Sequence, residues 1–339
     1  SMPDTYPESL VYVHDSNFET LLAGKVVLVD VAPGTRNYKG ALDAAQFASF
    51  IESKRKDELY IAESFYARGT RGERTDVLTI YDKKHLQRIG EIALPGAKRA
   101  QVVSHRYSLQ LVDNDRYLLL FNFTPAASVT MIDMDSRKIL SETQIPGCGL
   151  VYAAGKRGFA SLCSNGSMFA AQFDQTGTLI HQQNVEPFFD VDNDPLFDKP
   201  IYIDKTAWFP SYKGDIQPID LSGKNPVVQE RWSLLNSKQK SENWRPGGWQ
   251  IATVNDRGLI FILMHKDGYN GSHKAGGSEV WVYDPATQKR VNHFSLKEWG
   301  VSIELTGGKK PYLVVTNGSM QLDIYDPKNG HWLKMIGDV

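Results

Sequence analysis

The chain has 339 residues, with 38 Lys and Arg against 39 Asp and Glu and a formal net charge of -1. That balance leaves no basic surplus for nucleic acid or an anionic membrane, and no apolar run approaches the ~18 residues of a membrane-spanning helix. Hydrophobic content of 41% and charged content of 23% exclude the disordered and collagen-like classes.

From the N-terminus, Ser1-Met2-Pro3 shows no charged segment followed by an apolar one, so no signal peptide is expected in this chain. Ser-Met is also what tag cleavage leaves, so the cellular address is not read from this end. Residues 44–52 read as a short helix. Around and beyond them one signature recurs, a β-rich run closing on aspartate and then a turn. The copies are residues 26–30, 77–82, 129–133, 169–174, 216–220, 280–284 and 322–326, with their aspartates 41 to 64 residues apart. Most are preceded by a second apolar run, as at 59–62, 117–121, 259–263 and 312–315. The only other helix expected is 233–241.

A unit of roughly 40–50 residues holding about four strands is one propeller blade. A lone blade cannot bury both faces of its sheet, so neighbours must stack around an axis. The expectation is an all-β, seven-bladed β-propeller occupying 1–339 as a single domain. A pair of β-sandwiches is the rival, but seven similar units and the lack of a linker-like tract oppose it. The closing aspartates are expected to accept backbone N–H bonds in their turns and to take no part in catalysis.

Longer motifs carry a resemblance. They are Arg68-Gly69-Thr70-Arg71-Gly72-Glu73-Arg74-Thr75-Asp76, Phe123-Thr124-Pro125-Ala126, Pro146-Gly147-Cys148 and, most specific, Asn243-Trp244-Arg245-Pro246-Gly247-Gly248-Trp249. Met264-His265-Lys266-Asp267-Gly268 and Gly271-Ser272-His273-Lys274 follow. In order and spacing, from about Val11 to the C-terminus, the chain resembles the large subunit of aromatic amine dehydrogenase and the heavy chain of methylamine dehydrogenase. The resemblance implies a seven-bladed propeller in an extracytoplasmic, periplasmic heterotetramer. This chain would carry no cofactor. A partner small subunit would hold tryptophan tryptophylquinone, oxidise a primary amine to aldehyde and ammonia, and pass electrons to a small copper protein. The large subunit would be a non-catalytic scaffold and a wall of the substrate channel. At the family's channel-facing phenylalanine this chain has Gln46, or Phe47 after a one-residue shift, and its N-terminal extension is short.

The resemblance also implies a disulfide between Cys148 and Cys163, the only two cysteines. Fifteen residues apart, they are placed to staple neighbouring strands of one blade; two buried free thiols are the alternative. Candidate channel or partner contacts are Gln46, Phe47, Arg68, Arg71, Arg74, Trp244 and Trp249. Arginines clamp carboxylates and aromatics mark binding hot spots, whereas a salt-bridged loop and a packed turn are their structural alternatives. His265 and His273 flank a Gly/Asn loop that could line one mouth of the propeller as a small-ligand site, or be plain surface. No histidine pair has metal-ligand spacing. Asp190, Asp192, Asp194 and Asp198 alternate as calcium ligands do, but without the EF-hand glycine and glutamate they read as a solvated turn. Catalytic residues are not assigned. The rival function is a stand-alone propeller without a small subunit, cytoplasmic, with its own small-molecule binding or enzymatic activity.

Overall fold

The computed structural model describes residues 1–337. Apolar runs broken by Asp, Asn and Gly turns fold back on themselves as antiparallel hairpins. The strands form six hydrogen-bonded sheets, one of them eight-stranded. That sheet is two blades joined by one long strand, Lys289–Leu305. Its first half pairs with Gly277–Asp284 (Val280 opposite Phe294), and its second half pairs with Leu313–Asn317 (Ile303 opposite Val315). The sheets therefore make seven blades.

Seven separate apolar cores show how the ring closes, because each lies between consecutive blades. Val26, Leu42, Leu59 and Ile61 join blades 1 and 2. Ile216, Ile251, Ile260 and Trp281 join blades 5 and 6. Val314 and Ile324 meet Val11 and Val27, joining blade 7 back to blade 1. The central strands thus bury alternate side chains in two different cores, which explains near-continuous burial in runs such as Tyr117–Asn122.

Inner strands such as Ser49–Glu52, Leu109–Val112, Cys148–Ala154 and Ala252–Val254 surround the axis. Blade 1 differs. It has three strands, Leu10–Asp15, Lys25–Asp30 and Tyr38–Asp43, and its Asp-terminated strand is the middle one. By register with the other blades it lacks the innermost strand among the described residues.

All seven repeat aspartates close their turns as expected. Asp30, Asp133, Asp174, Asp220, Asp284 and Asp326 each accept the backbone N–H two residues on, and Asp82 accepts those of His85 and Gln87. Burial opposes ionisation at Asp30, Asp82 and Asp133, but the turn hydrogen bonds and nearby cations outweigh it and hold these carboxyls below their ordinary range; at Asp174 and Asp220 the hydrogen bonds dominate outright. A carboxyl lowered in the folded state stabilises above its unfolded pKa of about 3.9 and loses that contribution as pH falls below it. Urea midpoints should therefore hold from pH 7 to 5 and fall steeply below pH 4. Replacing Asp82 by Asn should flatten part of that fall.

Two local expectations change. Only Ser237–Ser241 of the second stretch is helical, capped by Asn236 and Gln239 in a reciprocal box. Residues 44–52 are not helical. Ala45 donates its N–H to the buried Glu63 carboxylate, Gln46 and Phe47 both take φ of 52°, and Ser49–Glu52 becomes an inner strand.

Cys148 and Cys163 are disulfide-bonded, directly opposite each other on the first two strands of blade 4. Closing a 15-residue separation is worth about 3 kcal/mol on the chain-entropy model. The Cys148→Ser, Cys163→Ser double variant should lose about that much in urea unfolding. Reductant should lower the wild-type midpoint toward the variant's and leave the variant unmoved.

Candidate functional site

Up-and-down connectivity sends the loops within each blade alternately to two faces. The loops joining successive blades and the hairpins between each blade's second and third strands share one face, here called the loop face. Every residue singled out from sequence lies at that end. The aspartate turns occupy the other.

On the blade 2 side, Arg99 organises the loop face. Its guanidinium is buried and donates to the carbonyls of Gln46 (2.6 Å) and Phe47 (2.8 Å) and to Ser64 Oγ (2.9 Å). Its backbone N–H donates to Asp76 Oδ2 (2.9 Å), and Arg74 clamps Asp76 through both oxygens at 2.7 and 2.8 Å. Left-handed backbone at two successive bulky residues is strained. Arg99 holds that strain by taking the two carbonyls the turn points inward. Gln46 is itself buried, with its side-chain nitrogen unpartnered. The Phe47 ring meets that of Phe18 at 6.2 Å. Burial pushes the neighbouring Glu63 carboxyl up, against the hydrogen bonds from Thr79 and Ala45. Arg74 is thus an internal brace. Arg68 and Arg71 pair across the tip of the Glu58–Arg68/Arg71–Asp82 hairpin and are exposed.

On the far side, the Trp-Arg-Pro-Gly-Gly-Trp motif divides. Trp244 packs at a tilt against buried Trp281, 4.8 Å between ring centroids, and lies against the core between blades 5 and 6. Trp249 is 44% exposed, and Lys199 Nζ sits 3.6 Å above its ring. Lys199 also lies 3.3 Å from Asp198 Oδ1, and His105 Nε2 lies 3.1 Å from the same oxygen. His105 Nδ1 accepts the Tyr107 N–H, so the ring proton faces Asp198. Burial opposes the charge on Asp198, but His105 and Lys199 hold it well below the carboxylate range; burial pushes His105 down, against the pull of Asp198. Nδ1 is engaged by the Tyr107 N–H, whereas Nε2 is buried without an aligned hydrogen-bond partner and faces the carboxylate only at ion-pair distance; the group lies beneath Trp249.

His265 is buried, its Nε2 2.8 Å from Ser272 Oγ and its Nδ1 unpartnered. His273 instead packs at a tilt against Tyr212, 4.2 Å between ring centroids. The two histidines make separate contacts, and no group of three metal-ligating side chains is found among the described residues. The acidic stretch also separates. Asp190 caps its own turn through Asp192 and Asn193, Asp194 pairs with Arg231, and Asp198 turns inward to His105.

Arg99, His105, Lys199, Arg106 and Glu304 had no local signature to mark them. Arg99, His105 and Arg106 stand on the connection between blades 2 and 3, Lys199 on that between blades 4 and 5 and Glu304 on a strand of blade 7, and only the closed ring brings them together.

Residues 9–339 match the methylamine dehydrogenase heavy chain (MADH) family. The chain belongs to that family. It is 29% identical over 283 residues to the methylamine dehydrogenase heavy chain of Methylorubrum extorquens, covering 82% of this chain and 68% of that one. It is 28% identical over 305 residues to the heavy chain of Methylophilus methylotrophus, covering 88% and 74%. Among solved structures, the β-propeller domain of Myceliophteria thermophila Cps50 (Swd1) superposes with a TM-score of 0.58 at 11% identity, covering 94% of this chain and 93% of that one. Dihydro-heme d1 dehydrogenase NirN, in complex with DHE, gives 0.55 at 14% identity, covering 99% and 75%. At such identities the likeness is one of fold alone.

This family member has an asymmetric surface. Among the described residues, 18 large hydrophobic side chains are exposed. They include Phe18 (63%), Phe123 (62%), Tyr269 (66%) and Met320 (72%) on loop-face connections of blades 1, 3, 6 and 7, with Val102 and Trp249 nearer the axis. Most of the others lie on outermost strands, as Ile180 does. The aspartate-turn face contributes Tyr38, Leu179 and Val227, each the first residue of an outermost strand.

Proposed function

We propose that this chain, as one propeller domain, is the large subunit of a quinone-dependent amine dehydrogenase, docking a small subunit on its loop face. The observation that carries this reading, given the family, is that the most exposed large side chains, Phe18, Phe123, Tyr269 and Met320, stand on that face together with Val102 and Trp249. Monomeric proteins rarely leave such patches uncovered, and their clustering marks a protein interface. The partner's tryptophan tryptophylquinone supplies the oxidation of a primary amine to aldehyde and ammonia, with electrons leaving to a small copper protein. This chain's part is positional. The rigid Gln46–Phe47 turn, the Arg68/Arg71 tip and Trp249 present the contacts and form one wall of the amine's path. The disulfide suits an oxidising, periplasmic compartment.

A second reading, a stand-alone cytoplasmic propeller with its own small-molecule binding or activity, draws on one observation. Buried, polar Gln46 stands where the family's channel aromatic is expected.

The test is spectroscopic. The complex purified through this chain should show a quinone absorption band that a primary amine bleaches anaerobically. A chain that is colourless and unaffected by amines would support the second reading.

A further inference from the structure

The segment between blades 2 and 3 runs across the end of the axial channel, and its tethers reach around the ring. Gln101 accepts from Tyr66 Oη of blade 2 at 2.7 Å. Ser104 Oγ lies 3.2 Å from Ser16 Oγ and 3.5 Å from His14 Nε2 of blade 1, beside the position that lacks an inner strand. His105 reaches Asp198 on the loop between blades 4 and 5. Arg106 pairs with Glu304 on the inner strand of blade 7. Blades 3 and 7 stand on opposite sides of the ring, so this ion pair spans the channel.

Glu304 is prepared for that partner. Its carboxylate also accepts from Gln250 Nε2 (2.9 Å) and Thr253 Oγ1 (2.7 Å). The Glu304 charge raises the Arg106 pKa; burial opposes the Glu304 charge, but Arg106 holds that carboxyl below its ordinary range. The Arg106 side chain remains 52% exposed, so the pair is reached by solvent. Val102 and Val103, on the same segment, stay exposed on the outer side.

We infer that residues 101–106 form a strap across the loop-face mouth of the axial channel, and that the Arg106–Glu304 pair is its latch. Breaking the latch frees the strap while the blades beneath remain intact. The closed strap keeps solutes arriving at the loop face out of the channel and presents Val102 and Val103 to whatever docks there.

Limited proteolysis of the full chain by thermolysin, which cuts before exposed Val102 and Val103, tests this. Arg106→Ala should be cut there at least tenfold faster, with no faster cutting within Tyr117–Asn122 or Leu313–Asn317. Glu304→Gln should do the same. The charge-swapped pair, Arg106→Glu with Glu304→Arg, should restore most of the protection if the interaction is a latch. If a Glu304 variant does not fold, Arg106→Ala decides alone. Unchanged cutting of the strap in Arg106→Ala would overturn the inference. So would equally faster cutting throughout blades 3 and 7, because the pair would then be a general staple of the ring.

Discussion

Replacing Arg99 by alanine should destabilise the protein by at least about 3 kcal/mol, the largest single-residue effect expected on the loop face. The guanidinium is buried and serves the carbonyls of Gln46, Phe47 and Ala100 together with Ser64 Oγ. Alanine would strand these acceptors away from water, at about 1–3 kcal/mol for each one left unsatisfied. It would also leave the buried Asp76 carboxylate with Arg74 as its main cation. Burial lowers the Arg99 pKa to about 10 against the pull of Asp76, so the group is charged at neutral pH and its hydrogen bonds are charge-assisted. Arg99→Lys should recover only part of the loss, because one ammonium cannot span acceptors on both sides of the fork. Arg68→Ala, at the exposed hairpin tip, should move stability by no more than about 0.5 kcal/mol. Urea unfolding at constant m reads all three. An Arg99→Ala loss below about 1 kcal/mol would show that the 46–47 turn holds its left-handed backbone unaided.

The second large effect concerns association. Phe123 and Tyr269 project from blades 3 and 6, and each is about two-thirds exposed. In an interface centred on the axis they would be anchor residues. Truncating an anchor typically costs about 2 kcal/mol, roughly 30-fold in affinity, and a buried charge in its place costs more. Phe123→Glu with Tyr269→Glu should therefore abolish co-purification of a small subunit while leaving the urea midpoint unchanged. Ile180→Glu is the control, because Ile180 is equally exposed at 62% but lies on an outermost strand. Equal loss of partner in both proteins, or in neither, would remove the loop face as the docking surface.

The ring was legible in the sequence because each blade repeats one local solution. An alternating run, an aspartate that caps the turn and a returning strand can be read without knowing any neighbour. The same locality placed the candidate residues on one face, since strand direction alone decides which end of a blade a loop occupies. Their separate roles were not legible. Trp244 and Trp249 lie in one motif, but one faces the core shared with blade 5 while the other faces solvent under Lys199. Arg74 reads like Arg68 and Arg71, yet only Arg74 has a buried carboxylate two residues on that faces the same way. Residues 44–52 have helical composition, but Glu63 and Arg99, distant in sequence, claim the backbone groups a helix would use. The Arg106–Glu304 pair joins residues 198 positions apart. Only closure of the ring creates it.

The most direct test of the central claim is the native mass of the complex recovered from its source through a tag on this chain. A heterotetramer of two copies of this chain and two of a small protein with crosslinked tryptophans is the predicted result. This chain alone, whether single or paired with itself and with no second polypeptide, would contradict it.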